Sequence, residues 1–207
     1  MTKDQENKVR NYKVLNKMAK KGQIVFTGSS LMEMFPIEEM AMSLDLPLKV
    51  YNRGIGGYTT DDFLREIDTM LLDLEPSKFF INIGTNDMTD RVYGDKWMDR
   101  LFENYESIIS LARERLPEAE IYMMAYYPTN RYFPSARDWA KERTLDNVRA
   151  CNERVDALAK KYGCHYIDCN SGLCDETGDQ RAEFSIDGVH MFAEGYAIVF
   201  ENLKRYL

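Results

Sequence analysis

The run Phe79-Phe80-Ile81-Asn82-Ile83 is almost wholly apolar, shows no apolar/polar alternation and lies between Pro76 and Gly84. It is too short for a helix and too apolar for a strand with one wet face. Such a run reads as a strand buried on both sides, at the centre of a parallel sheet. Parallel neighbours require crossovers, and the chain supplies them. Further strand-like runs at Ile24 to Thr27, Leu48 to Tyr51, Glu120 to Ala125 and Cys164 to Cys169 alternate with helical patterns. Helices are expected at about 4–20, from Thr59 or Thr60 to about Leu74, from about Lys96 to Leu116, up to about Tyr162 and from about Ala193 to Tyr206. A Met-rich segment, Leu31 to Leu44, adds a short helix interrupted near Pro36. The alternation predicts a three-layer α/β/α domain on a five-stranded parallel sheet.

The 207 residues, 44% of them hydrophobic, suffice for one well-buried domain spanning 1–207 and are short for two. A net charge of −7 gives no broad cationic field, which argues against nucleic acid and anionic membrane surfaces as partners. Residues 1–20 mix charges with isolated apolar residues and show no secretory core. With no apolar run approaching the length of a membrane span, a cytoplasmic protein is expected. Cys151, Cys164, Cys169 and Cys174 lack a Cys-x-x-Cys spacing and the chain has only two histidines, so a zinc site is not expected and reduced thiols are.

The stretch that carries chemistry is Ile24-Val25-Phe26-Thr27-Gly28-Ser29-Ser30, a buried strand that ends abruptly in glycine and two hydroxyls. Open α/β sheets place their active sites at such carboxyl ends. A serine there becomes a nucleophile only with a base, an orienting acid and oxyanion donors. Of the two histidines, His165 falls in a strand and reads as a packed or edge residue. His190, in the polar segment Ser185-Ile-Asp-Gly-Val-His190, is the better base, and Asp187 three residues earlier can orient it from the same turn. Gly57 offers an unobstructed backbone N–H and Asn86 a side-chain amide, both just past strand ends. Each segment alone also reads as an ordinary turn or helix cap.

Together these segments resemble the SGNH hydrolases, the GDSL lipase/esterase family. Gly28-Ser29-Ser30 matches the first block, Asn52-Arg-Gly-Ile-Gly-Gly57 the second, Gly84-Thr85-Asn86-Asp87 the third and Asp187-Gly-Val-His190 the fifth, in family order. The resemblance implies a flavodoxin-like sheet, a Ser30-His190-Asp187 triad and an oxyanion hole formed by the Ser30 and Gly57 N–H groups and the Asn86 amide. It implies no cofactor and no metal. Ser29 stands where the family name has Asp, and Tyr58 follows the oxyanion glycine where many members carry a polar or acidic residue. The Gly-x-Ser-x-Gly elbow of α/β-hydrolases is absent, with Met32 in its last position.

The expected substrate is a small-molecule ester, with acetyl on a carbohydrate as the leading class. Lysophospholipase, thioesterase, acyltransferase and non-catalytic binding roles stand as alternatives, and a homo-oligomer is left open. Tyr58, Tyr127 and Trp139 are candidate substrate-binding aromatics, in competition with simple packing. Arg53, Arg91 and Arg131, each following a strand, could meet an anionic group or be solvated.

Overall fold

The computed structural model describes residues 1–134 and 142–207, with Val92 described through its backbone alone. Five parallel strands form one sheet: β1 (Ile24–Gly28), β2 (Val50–Gly54), β3 (Lys78–Asn82), β4 (Glu120–Met124) and β5 (His165–Ile167), in the order β2-β1-β3-β4-β5. This is the flavodoxin-like order, and it reverses direction between β1 and β3, where such sheets open a crevice at their carboxyl ends.

Strand alternation divides the core between two layers. Val25, Phe79, Ile81, Ile121 and Met123 face one layer, packed with α1 (Lys3–Met18), α4 (Thr60–Arg65), α5 (Ile67–Met70), α7 (Trp97–Arg115) and α8 (Leu145–Tyr162). Ile24, Phe26, Phe80, Tyr122 and Met124 face the other, under α2 (Ser30–Glu33), α3 (Ile37–Ala41) and α9 (Ala193–Leu203). The short α6 (Asp90–Tyr93) precedes α7. On the second face the rings of Phe26 and Phe80 stack at 4.5 Å, Phe80 and Tyr122 at 4.7 Å, and Tyr122 and His165 at 4.7 Å. His165 is therefore the end of an aromatic row on the edge strand, as its strand position suggested.

Helix ends follow local chemistry. Thr2 caps α1 in a capping box with Gln5, Thr59 caps α4 with Asp62, and Gly163 closes α8 in the left-handed region. The helix expected from Thr59 to Leu74 is broken at Glu66 (φ −114°, ψ 21°) into α4, α5 and a 3₁₀ turn. Met70, Leu71, Leu72 and Leu74 are all buried, and a straight α-helix cannot turn so many near-consecutive residues inward.

Candidate active site

Ser30 begins α2 directly beyond β1. The chain turns there on Gly28, whose φ is 149°; a Cβ at that position would lie 2.0 Å from the Asn82 carbonyl oxygen on β3. Only glycine lets the two strands approach so closely. The Ser30 N–H is the first amide of α2, where a helix has no internal acceptor for it.

His190 and Asp187 come from the loop before α9. Asp187 Oδ1 accepts the backbone N–H groups of Val189 (3.2 Å) and His190 (2.9 Å), and Oδ2 lies 2.8 Å from His190 Nδ1. Burial pushes the Asp187 carboxyl upward, but these bonds outweigh it and hold the group below the usual range. An ionised Asp187 accepts a hydrogen bond from Nδ1–H, which leaves the lone pair of Nε2 facing Ser30 Oγ at 2.8 Å. The Ser30 hydroxyl donates to that nitrogen.

Gly57 and Asn86 border the same cavity, about 390 Å³ in volume, together with Ser30 and His190. Asn86 is held at both ends of its amide: Nδ2 donates to the Tyr58 carbonyl at 3.0 Å, and Oδ1 accepts from the Arg143 guanidinium at 3.0 Å. This fixes which way the amide points and leaves its second N–H for a ligand. Next to it, Asp87 is buried and accepts the Thr60 N–H (3.1 Å) and hydroxyl (2.5 Å), tying the Asn86 turn to α4.

Met88, Thr89, Arg91 and Arg143 complete the cavity. Arg91 binds Glu142 through Nε and Nη2, and Thr89 donates to the same carboxylate at 2.6 Å, so residue 142 is anchored to the segment after Asn86. Burial lowers the Arg143 guanidinium to about 10, still charged at neutral pH. Arg143 escaped the sequence reading, since its contact with Asn86 spans 57 residues and no local pattern marks it.

The aromatic expectations need correction. Tyr58 is 0% exposed and its hydroxyl lies 3.2 Å from Met1 Sδ, so the ring turns inward while only its carbonyl serves the site. Tyr127 is buried in the second core layer, away from the cavity lining. Trp139 lies outside the described residues. Among the arginines weighed for anions, Arg53 is buried against the Tyr12 and Tyr51 rings and bonds Asn16, and Arg131 sits over Tyr132.

A serine, imidazole and carboxylate in hydrogen-bonded series beside clustered N–H donors, on a flavodoxin-like sheet, define a hydrolase of the SGNH type. The model of the GDSL-like Lipase/Acylhydrolase family matches residues 38–198, which include Gly57, Asn86, Asp187 and His190 but begin beyond Ser30. The chain belongs to that family and is a carboxylic ester hydrolase. It is 26% identical over 189 residues to platelet-activating factor acetylhydrolase IB subunit alpha1 of Pongo abelii, covering 91% of this chain and 76% of that protein. A solved structure from Streptococcus pneumonia, provisionally assigned as a platelet activating factor, superposes with a TM-score of 0.87 at 28% identity, covering 99% of this chain and 92% of the other. An acetylxylan esterase from Geobacillus stearothermophilus shares the fold, with a TM-score of 0.69, 14% identity and coverage of 90% and 94%. No helix among the described residues is long and apolar enough to cross a membrane.

Proposed function

We propose that this protein hydrolyses small acyl esters, acetyl esters foremost, with Ser30 as nucleophile. The observation that carries the reading is the Ser30–His190–Asp187 hydrogen-bond series opening on a cavity beside Gly57 and Asn86. Ser30 Oγ attacks the ester carbonyl as His190 Nε2 takes its proton, and Asp187 stabilises the resulting imidazolium. The carbonyl oxygen, now negative, is met by the Ser30 and Gly57 N–H groups and the Asn86 amide. Collapse returns the proton from His190 to the departing alcohol and leaves an acyl group on Ser30. Water, deprotonated by His190, then attacks that acyl group, and as the bond to Ser30 Oγ breaks the proton passes from His190 to Oγ, releasing the acid and restoring the serine.

The acyl group is assigned as small because the cavity, about 390 Å³, lies near the lower end for ligand sites, and Met88 and Thr89 border it next to Asn86. Acetyl is favoured further by similarity to proteins named as acetylhydrolases and an acetylxylan esterase. We assign the alcohol side to a small molecule such as a sugar, and nucleic acid is not a partner in this reading. Hydrolysis of p-nitrophenyl esters from acetate to palmitate tests it. Rates should peak at acetate; a peak at long chains would transfer the assignment to lipid or thioester substrates.

A further inference from the structure

The donor at Gly57 depends on which way one peptide plane faces. Residues 55–58 form a turn closed by the Tyr58 N–H on the Ile55 carbonyl at 3.3 Å, and Gly57 has a φ of +77°. That φ is the value of the third residue in a type II turn; in a type I turn the central peptide is flipped and the same φ is negative. All peptide bonds among the described residues are trans, so the Gly56 carbonyl and the Gly57 N–H point in opposite directions. Whatever holds the carbonyl therefore aims the N–H.

The group that holds it is Gln5, on the first turn and a half of α1. Gln5 Nε2 donates to the Gly56 carbonyl at 2.8 Å, across 51 residues of sequence. The amide of Gln5 cannot rotate freely to offer its oxygen instead, because Oε1 already accepts the Thr2 N–H at 2.8 Å. On the other side of Gly56, its N–H donates to Glu33 Oε2 at 2.6 Å, and Glu33 Oε1 is paired with Lys8 of α1 at 2.7 Å. Glu33 also belongs to α2, the helix that begins with Ser30. Both polar edges of Gly56 are thus gripped, and Gly57 borders the cavity with Ser30 and His190.

We propose that Gln5 is a positioning residue for the reaction: by holding the Gly56 carbonyl outward it locks the 56–57 peptide so that the Gly57 N–H faces the oxyanion. The inference rests on the esterase reading above. It makes α1, which lies outside the family match, part of the catalytic apparatus rather than a decoration of the sheet. Losing this grip lets the peptide flip, and a flipped peptide presents a carbonyl where the negative oxygen forms.

Three variants separate positioning from helix capping. Gln5→Glu keeps an oxygen for the Thr2 N–H and preserves the capping box, but replaces the donor to Gly56 by an acceptor. Gln5→Met removes the donor without adding charge. Thr2→Ala removes the cap hydroxyl while the Thr2 backbone N–H still anchors Gln5 Oε1. With p-nitrophenyl acetate, kcat should fall about tenfold or more in both Gln5 variants with KM within about twofold, a fraction of what losing an oxyanion donor outright costs. Thr2→Ala should lower the melting temperature and leave kcat in place. Retention of wild-type kcat by Gln5→Glu and Gln5→Met would overturn the proposal, as would an equal loss in Thr2→Ala. A wild-type protein inert toward the ester would instead contradict the acetyl-ester reading, and the same comparison would then be read from the rate at which a fluorophosphonate labels Ser30.

Discussion

Ser30 and His190 stand 160 residues apart in the chain, and their Oγ and Nε2 atoms are 2.8 Å apart in the fold. The contact exists because β1 and the loop before α9 deliver their ends to the same side of the sheet. Neither side chain is needed to build the core, since both are only half-buried. Ser30→Ala and His190→Ala should therefore fold with near wild-type melting temperatures and lose about 10⁴-fold or more in kcat. Steady-state kinetics with a thermal melt on each variant checks this; a variant inactive because it is unfolded would not count in favour.

In the proposed reaction Asn86→Ala removes an amide that meets the developing oxyanion. Its kcat should drop about 10²–10³-fold with KM little changed. A rise in KM at constant kcat would mean that Asn86 binds the ground state instead.

Asp87 sets a pH dependence of stability. Burial lifts its carboxyl to about 7, against the opposing hydrogen bonds from the Thr60 hydroxyl and N–H. In the unfolded chain the group titrates near about 3.9, so between there and about 7 the folded state binds more protons. Stability then falls as pH rises through that window, by at most about 1.4 kcal/mol per pH unit, and levels off above it. Asp87→Asn stays neutral and keeps an oxygen for Thr60, so its urea midpoint should gain on wild type between pH 5 and pH 8. A difference between the two proteins that is constant with pH would contradict the raised value.

The residues legible from sequence were those whose role is local or sits at a strand end. Gly28, Ser30, Asp187 and His190 were found because a strand end or a single turn delivers each of them. Tyr58 and Tyr127 were misjudged because an aromatic beside a site looks the same in sequence whether its ring faces the cavity or the core; here both rings are buried. Arg143 and Gln5 were missed for another reason. Each makes a hydrogen bond to a residue more than fifty positions away, and no periodicity or motif records such a pair. The break at Glu66 was hidden for a similar reason, since residues 59–74 read as one amphipathic helix until the crowding of Met70 to Leu74 into the core is counted.

Gly28→Ala tests the turn under the nucleophile. The new methyl would overlap the Asn82 carbonyl oxygen of the neighbouring central strand, a backbone atom held in the sheet rather than the end of a flexible side chain. The substitution should destabilise the protein by about 3 kcal/mol or more, read from denaturant unfolding. A cost below about 1 kcal/mol would show that β1 and β3 are not as closely apposed as this structure has them.

The central claim is that Ser30 carries the acyl group. During turnover of p-nitrophenyl acetate, acid quenching followed by peptide mass spectrometry should find an acetyl group on the peptide containing Ser30, and Ser30→Ala should show neither the label nor the activity. Acetylation at another residue, or ester hydrolysis that survives in Ser30→Ala, would contradict the account.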